Sequence, residues 1–383
     1  MRVAIGVLFA ASSAAVAVAG PVEGASAAPR CFGEGATIVG TAASDEIVGT
    51  NGPDVIAAGD GPDIVDGRGG ADLICGGRGD DEIRAGAGAD RVAGGRGGAR
   101  IYGGSGPDVL RGVAEFWPGP GDDRVVATFE AHTTGVLHYE SAGRSMHVDL
   151  GTGFAVGQGK DLLTGIRSVV GSRYPDFIAG DDAQYGGVGN ILEGNGGADV
   201  LVGRGGDDVL FDGLAGTAGC DPTHTDEADV LRGGGGANNL HFGDGDDRAI
   251  GGGRYDGFFP EGSGHDVVRG GAGPDYIDFY CVGPVQVSLL TGHGTTAQGT
   301  LTISSVRDLN GSIFGDTLVG DAGKNSIGGG QGNDTIDGRG DDDSLGGAEG
   351  DDLLDGGTGT DAADGWTGTD TCISIEVPQN CEL

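Results

Sequence analysis

The feature that most constrains this chain is a nine-residue period in aspartate. Asp-x-aliphatic triplets begin at Asp45, Asp54, Asp63, Asp72, Asp81, Asp90 and Asp108, with Ala99 standing where an Asp falls due and Ile101 still two places on. A second, less regular series runs through Asn190, Asp199 and Asp208, then Asp229, Asn238, Asp247, Asp256, Asp266 and Asp275. A third, through Asp316, Asn325, Asp334, Asp343, Asp352, Asp361 and Asp370, never slips. Each unit has a Gly-rich half and an aliphatic half, as in Gly76-Gly77-Arg78-Gly79-Asp80-Asp81 followed by Glu82-Ile83-Arg84. Glycine permits the positive φ of a tight turn, and Asp-x-Ile-x has room for a three-residue strand. Alternation along the strand sends the aliphatic residue to one face and its neighbours to the other. Two units then make one winding, and successive windings stack as parallel strands about 4.8 Å apart. Turns two units apart lie above one another, with carboxylates and turn carbonyls lining the gap.

Composition agrees with a thin stacked body. Glycine accounts for 86 of 383 residues, about three times the usual ~7%. Aromatic residues make up 5%, so the core is aliphatic and shallow. The formal charge of −36 excludes nucleic acid and membrane insertion at anionic surfaces, because both partners are polyanionic. Hard oxygen ligands with abundant negative charge favour Ca²⁺ over softer metals.

The repeating unit, Gly-Gly-x-Gly-x-Asp-x-aliphatic-x, resembles the RTX, or haemolysin-type, calcium-binding repeat. Full six-residue turns end at Asp81, Asp108, Asp275, Asp334 and Asp361, and most other units lose one glycine. The resemblance implies an all-β fold, a right-handed parallel β-roll or β-solenoid, with multiple Ca²⁺ ions held between stacked turns by Asp carboxylates and turn carbonyls. Carried over position by position, it makes candidate ligands of Asp54, Asp63, Asp72, Asp81, Asp90, Asp108, Asp199, Asp208, Asp247, Asp275, Asp334, Asp343, Asp352 and Asp361. Ala99 has no carboxylate, so the pairing of Asp81 across it is expected to bind weakly or not at all. Asn190, Asn238 and Asn325 keep an oxygen and lose a charge.

The repeats divide the chain into three arrays joined by strand-rich spacers. The expected plan is a signal peptide at 1–28, a first array at 29–113, a spacer at 114–186, a second, irregular array at 187–278, a spacer at 279–315, and a third array with a C-terminal disulfide cap at 316–383. The spacers resemble each other: Val148-Asp149-Leu150-Gly151-Thr152-Gly153 leads to Gly171-Ser172 and Asp176, and Val287-Ser288-Leu289-Leu290-Thr291-Gly292 leads to Gly311-Ser312 and Asp316. Short β-branched runs such as Thr300-Leu301-Thr302-Ile303 make them strands that continue the solenoid. Arg2, the apolar run Val3 to Ala19 and the small residues Ala25-Ser26-Ala27 read as a secretory signal, so an extracellular location is expected.

Six cysteines in an exported chain point to disulfides. Proximity pairs Cys31 with Cys75 and Cys372 with Cys381, leaving Cys220 with Cys281, although sequence alone does not choose. Neither His-Glu-x-x-His nor Gly-x-Ser-x-Gly occurs, which removes the zinc-protease and lipase chemistries. The segment holding Asp212, Cys220, Asp221, His224, Asp226 and Glu227 interrupts the second array and reads as a tethered surface loop. Trp117 and Trp366 are expected to pack at array ends. The expected function is a non-catalytic, calcium-binding structural or interaction protein, with cell-surface or matrix polysaccharide as a partner class. The alternative is a β-solenoid enzyme of the lyase or epimerase type acting on acidic polysaccharide.

Overall fold

The computed structural model describes residues 29–128, 135–183, 189–213, 227–280 and 282–381. Strands and turns account for the regular structure of these residues, with no helix among them. Alternate nine-residue units contribute to two long sheets that share one core. Val55–Asp60, Leu73–Arg78 and Arg91–Arg96 lie side by side in one sheet, and Ile64–Asp66, Glu82–Ala87 and Ala99–Ser105 in the other. Pairing is parallel, with partners one winding apart: Val55 opposes Leu73, and Ile64 opposes Glu82. The parallel β-solenoid expected from the period is therefore the fold.

Several strands run to six residues where three were expected, because pairing continues into the turns. Gly59 pairs with Gly77, and Gly77 with Gly95. At Gly77 φ is +117°, and a Cβ would run into the Gly59 carbonyl oxygen, so the stacking of turns itself demands glycine.

Between the sheets lies a double row of aliphatic side chains. Ile56, Ile74, Val92 and Leu110 from one sheet meet Val65, Ile83, Ile101 and Phe116 from the other, all fully buried. Each contributes about 1.5–3 kcal/mol, and a winding brings only two such residues, so the core is continuous but thin.

The spacers do continue the solenoid, by an unequal insertion. In the first, His147–Asp149, Phe154–Val156 and Lys160–Thr164 form an antiparallel meander inside one sheet. Its outer strands join their neighbours in parallel, Lys160–Thr164 to Arg124–Ala127 and His147–Asp149 to Phe177–Ala179. The second spacer repeats this with Gln286–Ser288, His293–Thr295 and Thr300–Ser304, between His265–Gly271 and Thr317–Val319. The opposite sheet receives no matching meander and runs on in parallel pairs, as Gly135–His138 with Ile166–Val170 and Tyr276–Asp278 with Asp308–Asn310. A bidentate ion pair from Arg204 to Asp149, 2.8 Å at both oxygens, ties the first meander to the second array.

At the N-terminal end, Arg30–Cys31 and Glu34–Gly35 form a small hairpin fastened by a Cys31–Cys75 disulfide, and the Arg91 guanidinium lies 4.4 Å from the Phe32 ring centre. Cys372 and Cys381 form the C-terminal disulfide. The Cys220–Cys281 pair, the leader 1–28, Asp221, His224 and Asp226 lie outside the described residues. Trp117 packs at the end of the first array as expected, and the expectation for Trp366 is corrected. Trp117 stacks between Tyr102 and His138 on the outer face, because equivalent positions of successive windings lie one strand apart. Trp366 is 66% exposed and packs on no array end.

Candidate metal centre

Stacking by whole windings places equivalent aspartates one above another, and they form ladders. Asp54, Asp72, Asp90 and Asp108 make one: in each step a backbone N–H donates 2.8 Å to Oδ1 of the aspartate one winding on. The second row runs from Asp45 through Asp63 to Asp81. In the third array, Asp316, Asp334, Asp352 and Asp370 form one row, and Asn325, Asp343 and Asp361 the other. The sequence makes these rungs because each Asp precedes its strand by one residue, where the N–H of the winding before points along the stack.

Oδ1 is thus occupied, and Oδ2 is not. In Asp63, Asp72, Asp81, Asp90, Asp108, Asp199, Asp208, Asp247, Asp275, Asp334, Asp343, Asp352 and Asp361, Oδ2 is buried with no protein hydrogen-bond partner. These are thirteen of the fourteen aspartates singled out from the sequence. In ten of the thirteen, Oδ2 faces the first glycine of its own turn, whereas Ala58, Ala85 and Phe242 hold that place in the turns of Asp63, Asp90 and Asp247. A Cβ built on Gly338 would lie 2.5 Å from Asp343 Oδ2 and 2.9 Å from the Gly356 carbonyl oxygen of the next winding. Glycine keeps open the space that a carboxylate and a carbonyl both face. A buried carboxylate oxygen without a donor costs several kcal/mol unless a cation meets it, and carboxylate plus carbonyl is the donor set of Ca²⁺.

Electrostatics point the same way. Burial pushes the carboxyls of Asp72 and Asp81 up to about 6, those of Asp108 and Asp334 to about 7, and those of Asp199 and Asp247 to about 9. The backbone N–H of the preceding rung opposes the shift, and neighbouring aspartates add to it. Among the described residues, arginines pair with Glu82, Asp149, Asp308 and Asp337, which are not rungs of these rows.

The fourteenth aspartate, Asp54, differs. Its Oδ2 accepts from the Thr50 N–H at 2.7 Å and from the Thr50 hydroxyl at 3.0 Å. Comparable caps stand where other rows begin: Thr41 on Asp45, Ser172 on Asp176 and Ser312 on Asp316. Where a row begins with asparagine, its amide does the same work. Asn190 Nδ2 donates to the Arg167 carbonyl at 3.2 Å and Asn325 Nδ2 to the Arg307 carbonyl at 2.8 Å. These first rungs are satisfied by the chain itself, and the thirteen aspartates named above are not.

Two rungs were missed in the sequence. The ladder of Asp54 passes from Asp108 to Asp123 and then to Asp161, whose Oδ2 accepts from the buried Tyr139 hydroxyl at 2.7 Å. The signals were Gly119-Pro120-Gly121-Asp122-Asp123 and Gly157-Gln158-Gly159-Lys160-Asp161, hidden by irregular spacing. The row of Asp81 does stop at Ala99, and a pocket of about 590 Å³ lined by Asp63, Asp81, Ala99 and Val113 stands at the break.

The family model of the RTX calcium-binding nonapeptide repeat matches residues 39–74, 74–101, 94–112, 185–213, 225–253, 262–278, 310–345 and 346–372, more than half of the chain. None of the curated proteins compared with the chain matches it.

Proposed function

The chain belongs to the RTX calcium-binding nonapeptide repeat family, a calcium-binding β-roll, and from that premise we propose that it is a secreted protein that completes its fold on binding several Ca²⁺ ions outside the cell. The observation that carries this is the row of buried Oδ2 atoms without donors, ten of the thirteen facing a turn carbonyl across a glycine. The ligands are Asp63, Asp72, Asp81, Asp90, Asp108, Asp199, Asp208, Asp247, Asp275, Asp334, Asp343, Asp352 and Asp361, with Asp54 serving as a capped first rung. Bound Ca²⁺ supplies positive charge to rows that otherwise repel. The chain's own residues supply the frame: N–H groups orient each carboxylate, glycines keep the gap open, and Thr50, Ser172 and Ser312 close the row ends.

Affinity falls at about 10⁻⁴ to 10⁻³ M, the range of extracellular modules, so the chain stays loose at low calcium and folds after export. The apolar run of residues 3 to 19 and the disulfides support the extracellular location. The role is structural, at a cell surface or in a matrix, with Ca²⁺ bridging to anionic polysaccharide and no catalysis. Circular dichroism of the purified chain tests it. Strand content rises on adding calcium and falls on adding chelator, and identical spectra in both conditions overturn the proposal.

A further inference from the structure

Asp212 stands at a place where the repeat has glycine. Counting from Asp199, the first glycine of the following turn is Gly203, and from Asp334 it is Gly338; counting from Asp208 it is Asp212. The backbone there behaves as a turn glycine does: a Cβ built on Gly194 would meet both Asp199 Oδ2 and the Asp212 carbonyl oxygen. The side chain is the addition. It is buried, its two oxygens accept from the N–H groups of Gly213 and Gly243, and one of them lies within 4.8 Å of carboxylate oxygens of both Asp229 and Asp247. No other group of three such side chains converges in this way among the described residues.

A second observation makes this more than a cluster of acids. Asp247 is 0% exposed, its Oδ1 is engaged by the Asp229 N–H at 2.8 Å, and its Oδ2 is buried without a protein partner. Asp212 is held by backbone donors on both sides, so its carboxylate is fixed before any ion arrives.

We propose that Asp212, Asp229 and Asp247 form a three-carboxylate site for a hard divalent cation, Ca²⁺, that binds more tightly than the interior rungs and fills first. The inference rests on the calcium reading above and adds to it a site outside the nonapeptide pattern. Ligand charge and rigidity set Ca²⁺ affinity in oxygen sites, and this site exceeds an ordinary rung in both. It pins the start of the segment where the second array is interrupted, between Asp208 and Asp229.

Calorimetric titration of the full chain with Ca²⁺ tests it, comparing wild type with Asp212→Gly, which restores the repeat's glycine, with Asp212→Asn, and with Asp343→Asn in the third array. Wild type is expected to show one tight event ahead of a larger weak class. Asp212→Gly and Asp212→Asn weaken the tight event about 10- to 100-fold and leave the weak class intact, the span over which ligand charge tunes such sites. Asp343→Asn does the reverse. Circular dichroism at saturating calcium shows that each variant folds. Tight binding unchanged in both Asp212 variants overturns this inference and leaves the calcium reading standing. Absence of any calcium heat in wild type overturns both.

Discussion

Replacing Asp334 by asparagine should change stability in opposite directions with and without calcium. Asp334 is 2% exposed; its Oδ1 accepts from the Asp316 N–H, its own N–H donates to Asp352, and its Oδ2 has no partner. Asparagine keeps an oxygen for the Asp316 N–H and removes the charge. Burial, resisted by that N–H and reinforced by the charges of Asp352 and Asp316, lifts this carboxyl from 3.8 to about 7. Ionised at pH 8, such a group opposes folding by up to about 4 kcal/mol, and screening at the solvent side of the turn reduces this to about 2 kcal/mol. In chelator, Asp334→Asn should therefore stabilise the roll by about 2 kcal/mol. In calcium, Asp334 serves two adjoining gaps, each worth about 1.4 kcal/mol when calcium stands about tenfold above its Kd, so the variant gives up about 3 kcal/mol of binding against the roughly 2 kcal/mol gained and is destabilised by a net of about 1 kcal/mol. The assay is circular dichroism at pH 8, titrated with urea in calcium and with a stabilising osmolyte in chelator so that both midpoints are reached. A variant that shifts both midpoints in the same direction would refute the reasoning.

Three further outcomes follow from the ladders. Asp72, Asp81, Asp108 and Asp334 carry carboxyls raised above 3.8, so their contribution is fully present below about pH 4 and lost as pH rises through about 6 to 7; in chelator, strand content should rise on acidification from pH 9 to 5, and a fall on acidification would contradict this. Ala99→Asp supplies the absent rung beside Asp81 and should add bound calcium and about 1.4 kcal/mol at tenfold excess over Kd; unchanged stoichiometry by calorimetry would count against stacked sites. Ser312→Ala removes the hydroxyl donor to Asp316 and should lower stability by about 1 kcal/mol equally with and without calcium; a loss seen only in calcium would show that the cap is part of a metal site.

The solenoid was legible because its period fixes both the fold and the ladders. Ile74 and Ile83 are buried, and Asp72 and Asp81 each stacked in a row, for one reason: every ninth residue takes the equivalent place in the other sheet and every eighteenth returns to the same place in the winding. What the period does not encode was not read. Thr50 and Ser312 look like lost glycines in the motif, yet their hydroxyls and N–H groups do the work of a cation at the row ends. Asp123 and Asp161 belong to a ladder, but an irregular step and an inserted meander separate them from it in sequence. Tyr139 closes that ladder from a segment with no repeat at all. Asp212 broke the motif, and only the geometry brings it to Asp229 and Asp247.

The central claim is that cations sit against the free oxygens of the interior rungs, and anomalous diffraction from crystals grown in calcium tests it most directly. The account predicts rows of peaks beside Oδ2 of Asp72 and Asp90 in the first array and of Asp334, Asp343, Asp352 and Asp361 in the third, with no peak in the gap between Asp81 and Ala99. Peaks confined to exposed acids, with these oxygens bare, would contradict it.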